Sequence, residues 1–316
     1  MALKRLISVV ALGPLALCAA DLRLGIVGTD TSHVTAFAKV LNDPSSADHI
    51  PGARIVAAYK GGSPDLESSR SRVDGYAREL SEKYGVEIVP DIKTLVSKSD
   101  AILLESVDGR KHLPQFKEIA AAGKKLRVFI DKPLAAPLAD AREIERVAQK
   151  AGIEWFSTSR LRWSEIGLTM KTPNAKTVMT WGPGPEEKTH QLELSWYAIH
   201  PIEMLFALMG TGVEEVSRTV SADGDVLVGK WRDGRLGIVR TGKPYSDYGA
   251  LVFGGKITEQ SNNKMKSGYT PMLREVVKFF EGGPNPVANA ETLEIFAFMD
   301  AAQRSKHQGG RPEKLR

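Results

Sequence analysis

The sequence predicts an α/β protein, in which an N-terminal Rossmann-type, doubly wound parallel sheet is followed by an α+β domain with a mostly antiparallel open sheet. Three observations predict it. Short apolar runs alternate with amphipathic helical stretches from residue 22 to about residue 158. The first of these runs ends at a glycine turn, Gly28. After residue 158 the apolar runs lengthen and Asp-Gly turns separate them, which is typical of antiparallel hairpins.

In the N-terminal half the periodicity predicts six strands and five helices. The predicted strands are 22–27, 54–59, 86–89, 101–105, 126–130 and 153–157. The predicted helices lie near 32–42, 66–84, 92–97, 111–123 and 138–151. Strands that alternate with helices form βαβ units, so a parallel sheet covered on both faces is expected.

In the C-terminal half the pattern predicts longer strands and three helices. The predicted strands are 176–182, 188–196, 213–220, 225–231, 235–240 and 248–259, with turns at 223–225 and 233–234. The predicted helices are 199–209, 271–282 and 290–306, followed by a frayed tail over 308–312. The expected domains are 21–158 and 159–316.

The first twenty residues have the order of a secretory signal peptide. Lys4 and Arg5 precede an apolar run over 6–17, and small residues end the segment at Ala20, where cleavage is expected. The run is too short to span a membrane, so no stable span is expected in the mature chain. The protein is therefore expected to be exported, to the periplasm or outside the cell. The alternative is a buried first strand in a cytoplasmic protein.

Composition excludes several classes of function. Removing residues 1–20 leaves 41 basic against 38 acidic residues, a net charge of +3, which gives no reason to expect nucleic acid or an anionic membrane as partner. The only cysteine, Cys18, lies in the removed segment, so the mature chain has no disulfide and no thiol catalyst.

The first strand runs into a modified dinucleotide-binding turn. In the G-x-G-x-x-G fingerprint the glycines allow a tight turn, close approach to phosphate and close helix–strand packing. Gly28, Asp30 and His33 occupy the three positions. We expect Asp30, Thr31 or Ser32 to accept hydrogen bonds from N–H groups at the helix start, so that Asp30 competes with phosphate for those donors.

Two further strand ends carry candidate ligand contacts. Lys60 and Ser63 follow the second strand, where an acidic residue would bind a ribose 2′-hydroxyl; they favour a 2′-phosphate and hence NADP, or are solvated loop residues. Lys132 follows the fifth strand at the sheet edge where ligands bind, with Asp131 placed to hold its ammonium. The alternative for Lys132 is a surface lysine that ends the strand.

Together these motifs resemble those of the Gfo/Idh/MocA family, the glucose–fructose oxidoreductase and inositol dehydrogenase relatives. The resemblance rests on the Gly28 turn and on Asp131-Lys132-Pro133 about a hundred residues later. His112 falls where the family has a histidine that opens a helix. Ser159–Trp163 resembles the entry to the family's second domain, and Ala198–Glu203 resembles its Asp-x-Gly-x-His-x-x-Asp segment.

The resemblance implies an NAD(P)-dependent oxidoreductase that acts on a hydroxyl of a sugar, polyol or related small molecule, and commonly a homo-oligomer. It implies Lys132 and His200 as catalytic residues. The implied cofactor contacts are Gly28, Asp30, Thr31, Ser32, His33, Lys60, Ser106, His112, Asp131 and Lys132. The implied substrate contacts are Arg160, Arg162, Trp196, Tyr197 and Glu203.

The chain departs from the family where it should carry an acid. Trp196 stands at the place of the family's aspartate, four residues before His200, and Ala198 replaces its glycine. These departures keep two alternatives open: an epimerase, lyase or hydrolase that uses the cofactor transiently or not at all, and a non-catalytic carbohydrate-binding protein. Metal binding is not expected, because His190, His200, Glu193 and Glu203 show no compact ligand spacing.

The export hypothesis gives the first testable prediction. Amino-terminal sequencing of the native protein should begin near Asp21, because the signal segment would be removed after Ala20. Intact material that begins at Met1 and stays in the cytoplasm would contradict it.

Overall fold

The computed structural model describes residues 20–254, 257–261 and 268–316, and it begins with a six-stranded parallel sheet. The strand order is β3-β2-β1-β4-β5-β6, with neighbouring strands parallel throughout. The strands are β1 (Leu22–Val27), β2 (Ala53–Tyr59), β3 (Glu87–Val89), β4 (Ala101–Leu104), β5 (Arg127–Asp131) and β6 (Glu154–Thr158). This is the predicted Rossmann-type order, which reverses on either side of β1 and so opens a crevice there.

Six helices connect these strands. They are α1 (His33–Asn42), α2 (Glu67–Arg70), α3 (Val73–Tyr84), α4 (Ile92–Lys98), α5 (Gly109–Ala121) and α6 (Leu138–Ala151). The single helix expected over 66–84 is thus two. The break follows from a serine-rich segment: the Ser71 hydroxyl donates to the Glu67 carbonyl, and Ser69 turns inward to donate to Asp30. Such side-chain bonds compete with a continuous helix.

A seven-stranded sheet follows, in the order β12-β11-β7-β10-β9-β8-β13. Its strands are β7 (Thr177–Pro183), β8 (Val213–Ser221), β9 (Gly224–Trp231), β10 (Leu236–Gly242), β11 (Gly249–Phe253), β12 (Ile257–Ser261) and β13 (Glu313–Lys314). Its helices are α7 (Glu165–Thr169), α8 (Ile199–Met209), α9 (Thr270–Phe280) and α10 (Asn289–His307). Only the β7–β10 pair is parallel among the pairs described, so the sheet is mostly antiparallel as predicted.

Three sequence expectations in this half are wrong. The segment 188–196 is not a strand but a loop with a short 3₁₀ turn at Glu193–Ser195, because its polar side chains bond locally and to α10. The segment 248–259 is the hairpin of β11 and β12 rather than one strand. The C-terminal tail is not frayed, since β13 pairs with β8 and Glu313 forms an ion pair with Arg304.

The second half of the chain also covers the first sheet. Helix α9 packs its Met272, Leu273 and Val276 against a core that includes Phe129 of β5 and Phe156 of β6. Residues beyond 158 therefore contribute to the core of the N-terminal sheet. The division of the chain at residue 158 remains a prediction about separate folding units.

The proposed signal segment lies almost entirely outside the described residues, whose description begins at Ala20. Among the residues described, none of the helices combines the length and the apolar character that crossing a bilayer requires.

The second sheet contains a buried ion-pair cluster that generates a stability prediction. The Arg218 side chain is fully buried; its Nε donates to Asp225 at 2.7 Å and a terminal nitrogen donates to Glu193 at 3.0 Å. Arg218→Ala should lower the free energy of unfolding by about 3 to 5 kcal/mol, because the buried carboxylate of Asp225 loses its close cation and retains only Lys243 at 3.5 Å. The control Arg146→Ala, which removes an exposed pair with Glu143, should leave the denaturation midpoint nearly unchanged. Equal effects in chemical denaturation would contradict this account.

Candidate active site

A cavity of about 540 Å³ lies at the carboxyl ends of β1, β4 and β5, against residues of the second half of the chain. From the first half it is lined by Thr31, Ser32, His33, Glu67, Ser68, Arg72, Val107, Asp131 and Lys132. From the second half it is lined by Arg160, Glu187, Trp196, Tyr197, His200, Tyr248, Tyr269 and Met272. This is the edge at which open α/β sheets bind ligands.

The turn between β1 and α1 is held by close backbone packing. Gly28 has a φ of +91°, and a Cβ atom there would lie 2.3 Å from the Ser106 hydroxyl and 2.6 Å from its backbone nitrogen. Only glycine therefore allows the turn to rest on the loop after β4. Thr29 in turn donates to the carbonyl of Val73 at 3.0 Å, which ties the turn to the start of α3.

Asp30 does not lie where the sequence suggested. Its side chain is fully buried and accepts a hydrogen bond from the Val107 N–H at 3.0 Å and another from the Ser69 hydroxyl at 2.5 Å. Among the hydrogen bonds of the described residues, Asp30 accepts none from the start of α1, and this arrangement argues against the expected competition with phosphate for those donors. Instead, Asp30 joins the loop after β4 to helix α2.

The start of α1 faces the cavity through Thr31, Ser32 and His33. The Thr31 hydroxyl accepts a long hydrogen bond of 3.4 Å from the His33 N–H, and Ser32 makes no side-chain cap. A helix start of this kind favours an anion through its N–H groups and its dipole.

His33 is also tied to the end of β5. Its Nδ1 lies 2.7 Å from Asp131 Oδ2, and its ring packs 4.8 Å from that of Tyr269. Asp131 thus pairs with His33 rather than with the Lys132 ammonium. Burial alone would raise the pKa of Asp131, but the charge and hydrogen bond of His33 outweigh burial and lower it. Burial and the nearby Asp131 raise the pKa of the Tyr269 phenol to about 12, so it keeps its proton.

His200 enters the same cavity from the first turn of α8. Its Nδ1 lies 2.7 Å from the Ser159 hydroxyl, which also accepts from the Leu161 N–H and so has a fixed position. Burial, followed by the charges of Lys132 and Arg160, lowers the pKa of His200 well below its ordinary value. The imidazole is therefore neutral near neutral pH, and its ring lines the cavity.

Of the five expected substrate contacts, three line the cavity and two do not. Arg160, Trp196 and Tyr197 line it. Arg162 and Glu203 form a buried ion pair of 2.7 Å instead, and Glu203 also accepts from the Thr158 hydroxyl. This pair joins the end of β6 to α8, so its position is structural.

Several expected cofactor contacts also lie away from the cavity. His112 is fully buried, and its two ring nitrogens bond to the carbonyls of Ser106 and Leu134. The Ser106 hydroxyl donates to Gln115. Lys60 pairs with Asp74 at 2.5 Å on the surface. The buried Ser63 hydroxyl likewise donates to Asp108 within the protein, at 2.6 Å.

Sequence reasoning missed Glu105, the residue that follows β4. Its carboxyl group is fully buried, and neither oxygen has a hydrogen-bond partner among the described residues. Burial and the neighbouring Asp131 charge raise the pKa of Glu105 well above its ordinary value. A charged residue at the end of an otherwise apolar run, Ala101–Leu104, was the available signal.

The cavity fits a nicotinamide dinucleotide at some points and departs from the family fingerprint at others. In its favour, Thr31 and Ser32 line the cavity just before α1 begins, and Lys132 and His200 line the same cavity. Asp30 and His33 replace two glycines, but their side chains are directed to Ser69 and Asp131, respectively. The helix start therefore remains accessible to phosphate.

Comparison with known proteins supports this architecture. A family model described as an oxidoreductase family with an NAD-binding Rossmann fold matches residues 22–157. No curated protein gives a significant sequence match.

Solved structures with the same fold cover nearly the whole chain. A protein from Thermotoga maritima, described as a probable dehydrogenase, is 21% identical with a TM-score of 0.74, covering 93% of this chain and 99% of its own. A Lactobacillus casei scyllo-inositol dehydrogenase with bound NAD(H) and scyllo-inositol is 13% identical with a TM-score of 0.72, and the match covers 94% of this chain and 99% of the dehydrogenase. A myo-inositol dehydrogenase from the same organism, in complex with NAD(H) and myo-inositol, is 15% identical with a TM-score of 0.70, and the match covers 94% of this chain and 97% of the dehydrogenase.

The position of Asp30 changes what its substitution should do. Asp30→Ala should lower the free energy of unfolding by about 1 to 3 kcal/mol, because it leaves the Val107 N–H and the Ser69 hydroxyl without an acceptor. Asp30→Gly should not tighten NAD binding, since Asp30 takes no donor from α1. Chemical denaturation and calorimetric titration measure the two effects, with Asp48→Ala on an exposed loop as control. Tighter binding by Asp30→Gly would restore the competition hypothesis.

Proposed function

We propose that this chain is an NAD(P)-dependent oxidoreductase of the Gfo/Idh/MocA family that acts on a hydroxyl-bearing carbon of a sugar, polyol or related small molecule. The family model that matches residues 22–157 supports this proposal. The observation that carries the proposal is that Lys132, at the end of β5, and His200, in the first turn of α8, line one cavity together with the start of α1. A bound nicotinamide would supply the acceptor or donor of hydride.

The start of α1 is the proposed place for the cofactor's phosphates. Thr31 and Ser32 offer hydroxyl and backbone donors there, and Arg72 lines the same cavity with a positive charge. Lys60 and Ser63, which favoured NADP in the sequence, bond to Asp74 and Asp108 instead. The proposal therefore includes both NAD and NADP.

His200 is the proposed acid–base residue, and Lys132 is proposed to orient the substrate hydroxyl. When Nδ1–H of His200 donates to the Ser159 hydroxyl, Nε2 carries a lone pair that can take a proton from a substrate hydroxyl. The Lys132 ammonium can donate a hydrogen bond to the same oxygen and stabilise the charge that develops on it. The burial that lowers the pKa of His200 keeps this base unprotonated at neutral pH.

The walls of the cavity support a polyhydroxylated substrate. Trp196, Tyr197 and Tyr248 give aromatic faces for the C–H surfaces of a ring, while Arg160 offers hydrogen-bond donors. Structural neighbours with the same fold were solved with inositols bound. These features favour a sugar or cyclic polyol.

We also expect a homo-oligomer formed through the second sheet. Val226 of β9, Leu236 of β10 and Ile257 of β12 are apolar and exposed. Sedimentation of the purified protein would show a species larger than one chain.

A second candidate function is a reaction in the same cavity without net oxidation or reduction of the substrate. Trp196 stands in the cavity at the place of the family's aspartate, and this replacement favours an epimerase, lyase or hydrolase. Absorbance at the nicotinamide wavelength separates the two candidates: a dehydrogenase changes it in proportion to product, whereas the alternative forms product without a net change.

Substitution of His200 and Lys132 tests the proposal directly. With a panel of inositols and sugars and either cofactor, Lys132→Ala and His200→Ala should each lower kcat/KM about 100- to 10,000-fold. His200→Ala removes the proton acceptor, and Lys132→Ala removes the donor that stabilises charge on the substrate oxygen. The control His49→Ala, a histidine bonded to the Val40 carbonyl, should keep full activity. Near-normal turnover in either cavity variant, with intact circular dichroism, would remove that residue from the chemistry.

The pH profile gives a separate test of His200. Since the folded pKa of His200 lies well below 6.5, loss of the neutral base should begin only as the pH falls below about 6.5. The acid limb of kcat/KM should therefore be centred well below that pH and should disappear in His200→Gln. An acid limb centred at 6.5 or above would contradict the burial argument.

A further inference from the structure

Three potential metal ligands converge beneath the cavity from three different elements. His33 begins α1, Glu105 follows β4, and Asp131 ends β5. Each offers one nitrogen or oxygen atom, and these atoms lie within 4.8 Å of one another. Because β1, β4 and β5 are adjacent and parallel, their carboxyl ends bring these residues together although up to 98 positions separate them in sequence.

The Glu105 side chain is a second, independent observation that points to a ligand at this place. It is fully buried and directed into this group, and both of its oxygens lack a hydrogen-bond partner in the described part of the chain. If the carboxyl is ionised, it has no donor; if it is protonated, its O–H has no acceptor. A buried polar group left in that condition costs about 1 to 3 kcal/mol or more.

We propose that His33, Glu105 and Asp131 bind a divalent cation of the Zn²⁺ and Mn²⁺ class. A cation between these atoms would give Glu105 a partner. It would also balance the negative charge of the two buried carboxylates, which His33 and the adjacent Lys132 balance only in part. One imidazole and two carboxylates are ligands that these ions accept. Ligand atoms around Zn²⁺ lie roughly 3.4 Å apart, so small side-chain rotations close the group.

The bound ion would reach the cavity. His33 and Asp131 line it, whereas Glu105 lies beneath them. Three protein ligands would leave a coordination position open, as in catalytic zinc sites, and two of the three, His33 and Asp131, line the cavity. A substrate hydroxyl or carboxylate oxygen could bind it. This inference goes beyond the proposed hydride transfer, because the ion is held without any nicotinamide.

Metal titration without cofactor tests the site. Full-length protein is dialysed against a chelator and titrated with Zn²⁺ by calorimetry, and with Co²⁺ by visible absorption, which reports the coordination number. We expect one site per chain and at least a 10-fold loss of affinity in Glu105→Gln, Asp131→Asn and His33→Ala. The matched control is Glu193→Gln, a carboxylate that pairs with Arg218 and Lys306 outside the cavity and should bind as the unaltered protein does.

The outcomes separate this site from its competitors. Absence of saturable binding, or unchanged binding in all three variants, would overturn the proposal and leave a proton or a water molecule as the partner of Glu105. Loss of zinc binding in Glu105→Gln supports the site only if circular dichroism and the denaturation midpoint show that the variant is folded. If Glu105→Gln is unfolded, the zinc affinities of Asp131→Asn and His33→Ala test the site instead. Zinc binding by a protein that shows no dehydrogenase activity would uphold this site and refute the proposed function alone.

Discussion

The contact between the Gly28 turn and the loop after β4 determines the geometry of the whole site. A Cβ atom at position 28 would overlap Ser106, so the backbone can approach only because the residue is glycine. That approach brings the start of α1 beside Glu105 and the end of β5, where His33 meets Asp131 at 2.7 Å. Backbone packing beneath the cavity therefore brings the start of α1 and the end of β5 together, and the bond between His33 and Asp131 then joins them.

A second set of contacts brings His200 to this edge. Ser159 follows β6 and bonds both the His200 ring and the Leu161 N–H, while Arg162 and Glu203 join the same segment to α8. These buried polar bonds fix the position of α8, in the second half of the chain, relative to the end of β6 in the first sheet. Burial produced by this packing is also the main cause of the lowered pKa of His200, so the position and the protonation state of the base have one origin.

Elements with strong periodicity could be predicted from the sequence, and side-chain partners could not. All six strands of the first sheet and the helix α8 lie within a residue or two of their expected bounds, because apolar runs and turn residues report burial directly. The expected strand 188–196 failed because its apolar alternation belongs to a loop held by ion pairs from distant residues. Asp30, His112 and Glu105 could not be interpreted from the sequence for a similar reason. Asp30 and His112 bond to the segment that follows β4, Glu105 is buried without a partner among the described residues, and the spacing of residues in one sequence predicts neither result.

The central claim is that the cavity bounded by the start of α1, Lys132 and His200 binds cofactor and substrate together. The most direct measurement is a crystal structure of the protein soaked with NAD⁺ and a cyclic polyol. We predict electron density for the phosphates at Thr31 and Ser32, with the nicotinamide and the polyol between Lys132 and His200. A cavity that stays free of both ligands at saturating concentration, or a dinucleotide bound elsewhere on the chain, would contradict the account.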